Sequence, residues 1–184
     1  MEQKPTKMAI SLLYLMIAIC MFSCNENSSE ISNLRFELAL LNDNQESVTS
    51  FNEDDPIIFR LLIINESDLD VMFTGFEHEE IFKVYEVSVS GENPVGKPYS
   101  NIGCEFIGGY PLGSQDSIMI KIPWIPKSGE LEEVHRILCG LNYENPSLEI
   151  GSYRTYLNAK FFFNIEGEEY IINAPEKTIN FSIK

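Results

Sequence analysis

From Asn33 onward, apolar and polar residues alternate with a period of two along much of the chain. In NLRFELAL, Leu34, Phe36, Leu38 and Leu40 share one face while Arg35 and Glu37 take the other, the pattern of a half-buried strand. PIIFRLLIIN is apolar on both faces apart from Arg60, which suits a central strand, and Pro56 stands at its start, where a missing N–H is tolerated. IFKVYEVSVS changes phase between Val84 and Tyr85, which predicts a bulge. SIMIKIP sets Ile118, Ile120 and Ile122 against Met119 and Lys121. SYRTYLNAKFFFNI alternates Tyr153, Thr155, Leu157, Ala159, Phe161 and Phe163 against Arg154, Asn158, Lys160 and Asn164. Glu166 and Gly167 then turn the chain into EEYIINA, and TINFSIK closes with Ile179, Phe181 and Ile183 on one face, as a paired last strand. Short strands between Asn, Asp, Gly and Pro clusters predict an all-β antiparallel sandwich or barrel.

One segment departs from this rule. In SGELEEVHRILCG, Leu131, Val134 and Leu138 follow helical spacing, Ser128 can cap the start and Gly140 suits the C′ position. The spacing predicts one short helix crossing between the sheets, with His135 packed and neutral on its partly apolar face.

The first thirty residues have a different logic. Lys4 and Lys7 precede an apolar run, Met8–Phe22, and the small residue Ser23 precedes Cys24. A positive start, a short apolar stretch and a small residue at the cut describe an export signal, and 15 residues fall short of the ~20 that a membrane-spanning helix needs. MFSC, Met21 to Cys24, resembles the lipobox of bacterial lipoproteins, with Ser23 at the small position and Cys24 as the lipidated residue. Met21 and Phe22 depart from the commonest residues at their positions. The resemblance implies residues 1–23 as signal peptide, acyl chains on Cys24, and a place in the cell envelope, anchored by lipid to the outer membrane on its periplasmic or outer face. At ~0.8 kcal/mol per buried CH₂, two chains suffice for stable anchoring. The polar run NENSSEISN then makes residues 24–32 a flexible tether, and its acidic, Asn-containing start resembles surface-export signals of Bacteroidota-type lipoproteins.

Composition narrows the partners. Cleavage leaves 161 residues, one domain over residues 33–184, long enough to bury a core without a metal. With 13 Lys and Arg against 28 Asp and Glu, the net charge of −15 argues against nucleic acid and against electrostatic docking to anionic lipid, so the lipid anchor is the expected membrane contact. Two cysteines remain, Cys104 and Cys139. In an oxidising envelope they form one disulfide, worth roughly 3–4 kcal/mol in the chain-entropy model, or else are two separately buried thiols. No metal is expected, because His78 and His135 do not sit at ligand spacing from a cysteine.

LEIGSY, Leu148 to Tyr153, resembles the run that precedes strand F in immunoglobulin-like sandwiches. The resemblance implies an antiparallel immunoglobulin-like β-sandwich in which Tyr153 is a structural tyrosine corner, Gly151 allows its close approach and Leu148 plugs the core. Thr155 stands where the antibody-type second cysteine would be, and Trp124, in IPWIP, falls well after the expected core-tryptophan strand. FNEDDPIIFRLLIINESDLDVMF is similar to the opening of bacterial sandwich domains of the intracellular proteinase inhibitor family, in which an acidic turn leads into an apolar strand ending in Asn.

Catalytic chemistry has little purchase. The chain lacks a nucleophile elbow, P-loop, dinucleotide fingerprint and zinc-protease helix, and in FEHEEIF the H-E-x-x-H spacing fails at Phe82. NEDD (Asn52–Asp55) and ESDLD (Glu66–Asp70) flank one strand and read as solvated turns rather than a shared calcium site. Tyr99, Tyr110, Trp124 and Tyr143 lie in loop-like segments near Cys104 and Cys139; they either gather as a ligand-binding aromatic cluster or cap the core. DSI, Asp116 to Ile118, matches a short O-glycosylation pattern at Ser117. The expectation is a non-catalytic envelope lipoprotein that binds a glycan or protein, without a cofactor. Its oligomeric state is open. A proteinase inhibitor is the first alternative and a glycan-acting enzyme the second.

Overall fold

The alternating segments pair into antiparallel ladders, and the ladders close on one apolar core. The structure is a computed structural model, and it describes residues 33–77, 81–98, 109–124, 145 and 147–184. In chain order the strands are β1 (Leu34–Leu41), β2 (Ser50–Phe51), β3 (Ile58–Asn65), β4 (Val71–Phe76), β5 (Val84–Ser88) and β6 (Gly91–Gly96). They continue as β7 (Tyr110–Leu112), β8 (Ser117–Pro123), β9 (Gly151–Leu157), β10 (Lys160–Ile165), β11 (Glu168–Asn173) and β12 (Lys177–Ile183).

One sheet runs β1-β3-β8 and a second runs β2-β12-β9-β5-β6. All pairings are antiparallel except that of β2 with β12. This order is that of the immunoglobulin sandwich: β1, β3 and β8 stand at strands A, B and E, and β5, β6, β9 and β12 at C, C′, F and G. The protein is therefore an all-β, antiparallel, immunoglobulin-like sandwich.

A third sheet, β11-β10-β4-β7, grows from both others at one end. The β3–β8 ribbon continues as β4–β7, and the β9–β12 ribbon continues as the β10–β11 hairpin, so that β10 pairs with β4. The run from Tyr153 to Phe163 is thus two strands and not one. It breaks at Asn158–Ala159, where the buried alanines Ala159 and Ala174 face each other through an N–H to C=O bond of 3.0 Å. Small side chains let the ribbon bend there without opening a gap. The period of two survives the break because Tyr153, Thr155, Leu157, Ala159, Phe161 and Phe163 are all buried.

Two local rules place the remaining elements. The ladder between β5 and β6 shifts register between Val84 and Tyr85, where the sequence changes phase. Glu166 and Gly167, with φ of 52° and 93°, make the two-residue hairpin turn that needs positive φ at both positions. The core is largely aromatic: Phe36 of β1 meets Phe161 of β10 at 4.7 Å between ring centroids, and Phe73 of β4 meets Phe163 at 5.5 Å. Fully burying each such ring stabilises the fold by about 1.5–3 kcal/mol.

The expected short helix, with His135, lies outside the described residues, as do the signal peptide, Cys24 and the tether. Among the described residues no helix is long and apolar enough to cross a membrane.

Candidate functional site

The sequence-derived candidates separate once placed. Tyr99, Tyr143, Cys104 and Cys139 lie outside the described residues. Trp124 is a correction to the ligand-binding aromatics. It is 2% exposed, just past the end of β8, and its ring packs on Phe59 at 6.1 Å. Burial of the indole between strand ends makes it a core residue, not a contact for ligand. Tyr110 is half-buried against the core at the start of β7. Ser117 is exposed at the start of β8, and its N–H is held by the Asp116 carboxylate at 2.7 Å.

The tyrosine run has a defined geometry. The Tyr153 hydroxyl donates to the Glu149 carbonyl at 2.8 Å, and a Cβ at Gly151 would lie 3.4–3.6 Å from the Tyr153 ring and hydroxyl. Leu148 is buried beside them. Burial, followed by the charges of Glu86 and Glu149, pushes the Tyr153 phenol up from its ordinary value. This arrangement ties the entry of β9 and is structural.

A second cluster appears only when register is known. Because Tyr153, Thr155 and Leu157 point inward, Arg154 and Tyr156 point outward from the middle of the second sheet. Arg154 lies opposite Asn180 of β12 on one side and Tyr85 of β5 on the other. Its Nε donates to Asn180 Oδ1 at 2.6 Å, and its guanidinium also pairs with Glu92 of β6. The Tyr156 hydroxyl reaches both oxygens of Glu92, at 2.9 and 2.7 Å. The Tyr85 and Tyr156 rings meet edge to face at 5.5 Å, and Lys83 Nζ lies 5.4 Å from the Tyr85 centroid. The hydrogen bond that the guanidinium donates to the Tyr156 hydroxyl is the largest influence raising Arg154, while partial desolvation leads the rise at Tyr156.

Such a partly solvated network adds little to stability. Its consequence is order: it fixes two aromatic rings, a guanidinium, a carboxylate and an amide across four strands. The result is an outward surface with apolar ring faces and hydrogen-bonding groups. It can recognise a ligand that is itself part apolar and part polar, as sugars and peptides are. Among the described residues no group of His, Cys, Asp and Glu could hold a metal ion.

The fold and this surface define a class, an immunoglobulin-like sandwich with an ordered polar–aromatic sheet face. No family model and no curated protein matches the sequence. Solved structures similar to it include the structural genomics target SoR45 (12% identity, TM-score 0.39, covering 82% of this chain and 89% of that one). Another is an ASH/PapD-like domain of human CEP192 (11%, TM-score 0.42, 87% and 91%). A third is a β-glucosidase from Listeria innocua in complex with gluconolactone (12%, TM-score 0.32, 82% of this chain but 16% of that one). These likenesses are too distant to bear on function.

Proposed function

We propose that the chain is a non-catalytic envelope lipoprotein, held to the outer membrane by lipid on Cys24, whose sandwich acts as a binding module for a glycan or protein. The lipobox-like MFSC supports the anchor and the location. The observation that carries the binding role is the ordered face of Tyr85, Tyr156, Arg154, Glu92 and Asn180, which joins stacking surface to hydrogen-bonding groups. A rigid sheet holds these side chains in place before any ligand arrives, which lowers the ordering cost of binding.

Two linked experiments test this reading. Metabolic labelling with an alkyne palmitate followed by membrane fractionation should find wild type labelled and in the outer membrane, and Cys24→Ser unlabelled and soluble. Label retained by Cys24→Ser would overturn the anchor. Binding of the purified protein to glycan and envelope-protein arrays should then fall at least about tenfold in Tyr156→Ala, the effect expected of a truncated anchor residue. Full binding by that variant would exclude this face.

A further inference from the structure

The hairpin β10–β11 ends the third sheet, and among the described residues nothing pairs with the outer edge of β11. The Glu166–Gly167 turn makes Ile165 and Glu168 the hydrogen-bonded pair beside it, so bonded pairs then alternate along the ladder. Glu168, Tyr170 and Ile172 turn their N–H and C=O groups toward β10, a parity that the bond from Ala174 N–H to the Ala159 carbonyl continues. Glu169, Ile171 and Asn173 therefore turn theirs outward. Side chains follow the same parity. Tyr170 and Ile172 face inward, opposite Phe163 and Phe161, while Ile171 lies opposite Phe162 on the outer face and is 57% exposed.

The other sheet edges among the described residues are blunted. On β1 the Phe36 carbonyl accepts the Lys177 ammonium, and the Leu40 carbonyl accepts the Val48 N–H. β6 contains Pro94, β8 carries Lys121 and ends on Pro123, and β2 and β7 have two and three residues. β11 has six residues without Pro or Lys, and a free strand edge of this kind templates pairing with another chain.

We propose that the occupant is a second copy, paired antiparallel along β11 about a two-fold axis through Ile171. An axis perpendicular to the sheet keeps outer faces together, so each residue must meet one of its own parity. With Ile171 on Ile171 of the partner subunit, Glu169 lies opposite Asn173 of the partner subunit and Tyr170 opposite Ile172 of the partner subunit. Every outward N–H and C=O of the strand then finds a mate. Both faces of the seam are apolar at the centre, and each Glu169 carboxylate meets an Asn173 amide. Charge and covalent structure reject the neighbouring registers. Sliding one step toward the turn puts the axis on Tyr170, sets Glu169 against Ile171 of the partner subunit and takes away its amide partner. A second step brings Glu169 onto Glu169 of the partner subunit, and sliding away brings Pro175, which has no N–H, into the ladder. The product is one continuous sheet through both copies.

Two strands of six residues bury less than the 1,200–2,000 Å² of a standard interface, so the dissociation constant should be on the order of 10–1,000 μM. Each copy carries −15, and salt that screens this repulsion should tighten the dimer about fivefold or more.

Sedimentation equilibrium of the full chain in density-matched detergent reads the result, with the fluorescence of buried Trp124 as the control for folding. Wild type should dimerise, more tightly in high salt. Ile171→Lys and Ile171→Glu should each weaken self-association at least about tenfold, and their mixture should recover it, because only at the two-fold does residue 171 face itself. A wild type that stays monomeric in low and high salt would overturn the proposal, as it would if β11 served a foreign strand instead. Self-association unchanged in both variants, or a mixture no tighter than either alone, would also overturn it.

Discussion

Asn65 is fully buried at the point where β3 gives way to β4 and β7 to β8. Its Nδ2 donates to the carbonyls of Leu69 at 2.7 Å, Gly113 at 3.0 Å and Leu112 at 3.2 Å. Its Oδ1 accepts from the Ser67 N–H at 3.1 Å and the Ser67 hydroxyl at 2.6 Å. One amide thus holds both strands of the bending ribbon. Asn65→Ala removes about four effective bonds at roughly 1 kcal/mol each and lets some water in, so the expected loss is about 3–4 kcal/mol. For a domain of this size that lowers Tm by about 6–16 °C. Asn65→Asp keeps the acceptor but sets a carboxylate against three carbonyl oxygens, and the loss near neutral pH should be at least as large. That environment raises the folded-state pKa of the introduced acid above its unfolded value. Stability of Asn65→Asp should therefore rise as pH falls, when the protonated acid regains a donor. Guanidinium unfolding followed by the single Trp124 measures both variants. The reasoning fails if Asn65→Ala lies within about 1 kcal/mol of wild type, or if Asn65→Asp is as stable as wild type at neutral pH.

Tyr153→Phe should cost about 1 kcal/mol through the lost bond to the Glu149 carbonyl, measured by the same unfolding curves. Because burial raises the phenol above its unfolded value, its contribution is fully present below about pH 10 and is lost as pH rises through the folded pKa; Tyr153→Phe should flatten that alkaline fall in Tm, and an unchanged alkaline limb would count against it. Thr155 is buried with an Oγ1 that has no partner among the described residues, so Thr155→Val should stabilise the fold by about 0.5–1.5 kcal/mol, and a loss of more than about 1 kcal/mol would refute this account.

What the sequence reveals and what it hides follow from one physical distinction. A strand buried on one face writes its own alternation, so Tyr153 to Phe163 was legible through a bend between sheets, and the phase change at Val84–Tyr85 marked a register shift before any partner strand was known. β4 and β6 carry no such signal. VMFTGF holds Gly75, whose outer face is covered by the Phe162 ring, and GENPVG is exposed along nearly its whole length. For Trp124 the sequence left binding and core capping open, because a Pro-rich context reads as a loop whether or not the loop end folds inward, and burial decides for the core. The LEIGSY run was informative for the opposite reason, since the Tyr153 hydroxyl and the Glu149 carbonyl that it meets are only four residues apart.

Neither the Arg154–Tyr156 face nor the β11 edge could be found by pattern alone. Tyr85, Glu92, Arg154, Tyr156 and Asn180 sit on four strands, and their meeting depends on pairings between segments far apart in the chain. Alternation says that Arg154 and Tyr156 face outward, and only register says that Glu92 and Asn180 receive them. The same holds at β11. EEYIIN reads as an ordinary strand until the hairpin turn fixes which residues spend their backbone groups on β10 and which keep them free. Outward positions are the ones that folding leaves least constrained, and single exposed apolar residues are ordinary there, so it is the free backbone edge beside Ile171 that distinguishes it. The network carries little stability and Ile171 gains little from burial within the copy, so the fold alone leaves both surfaces open to the binding and pairing proposed above.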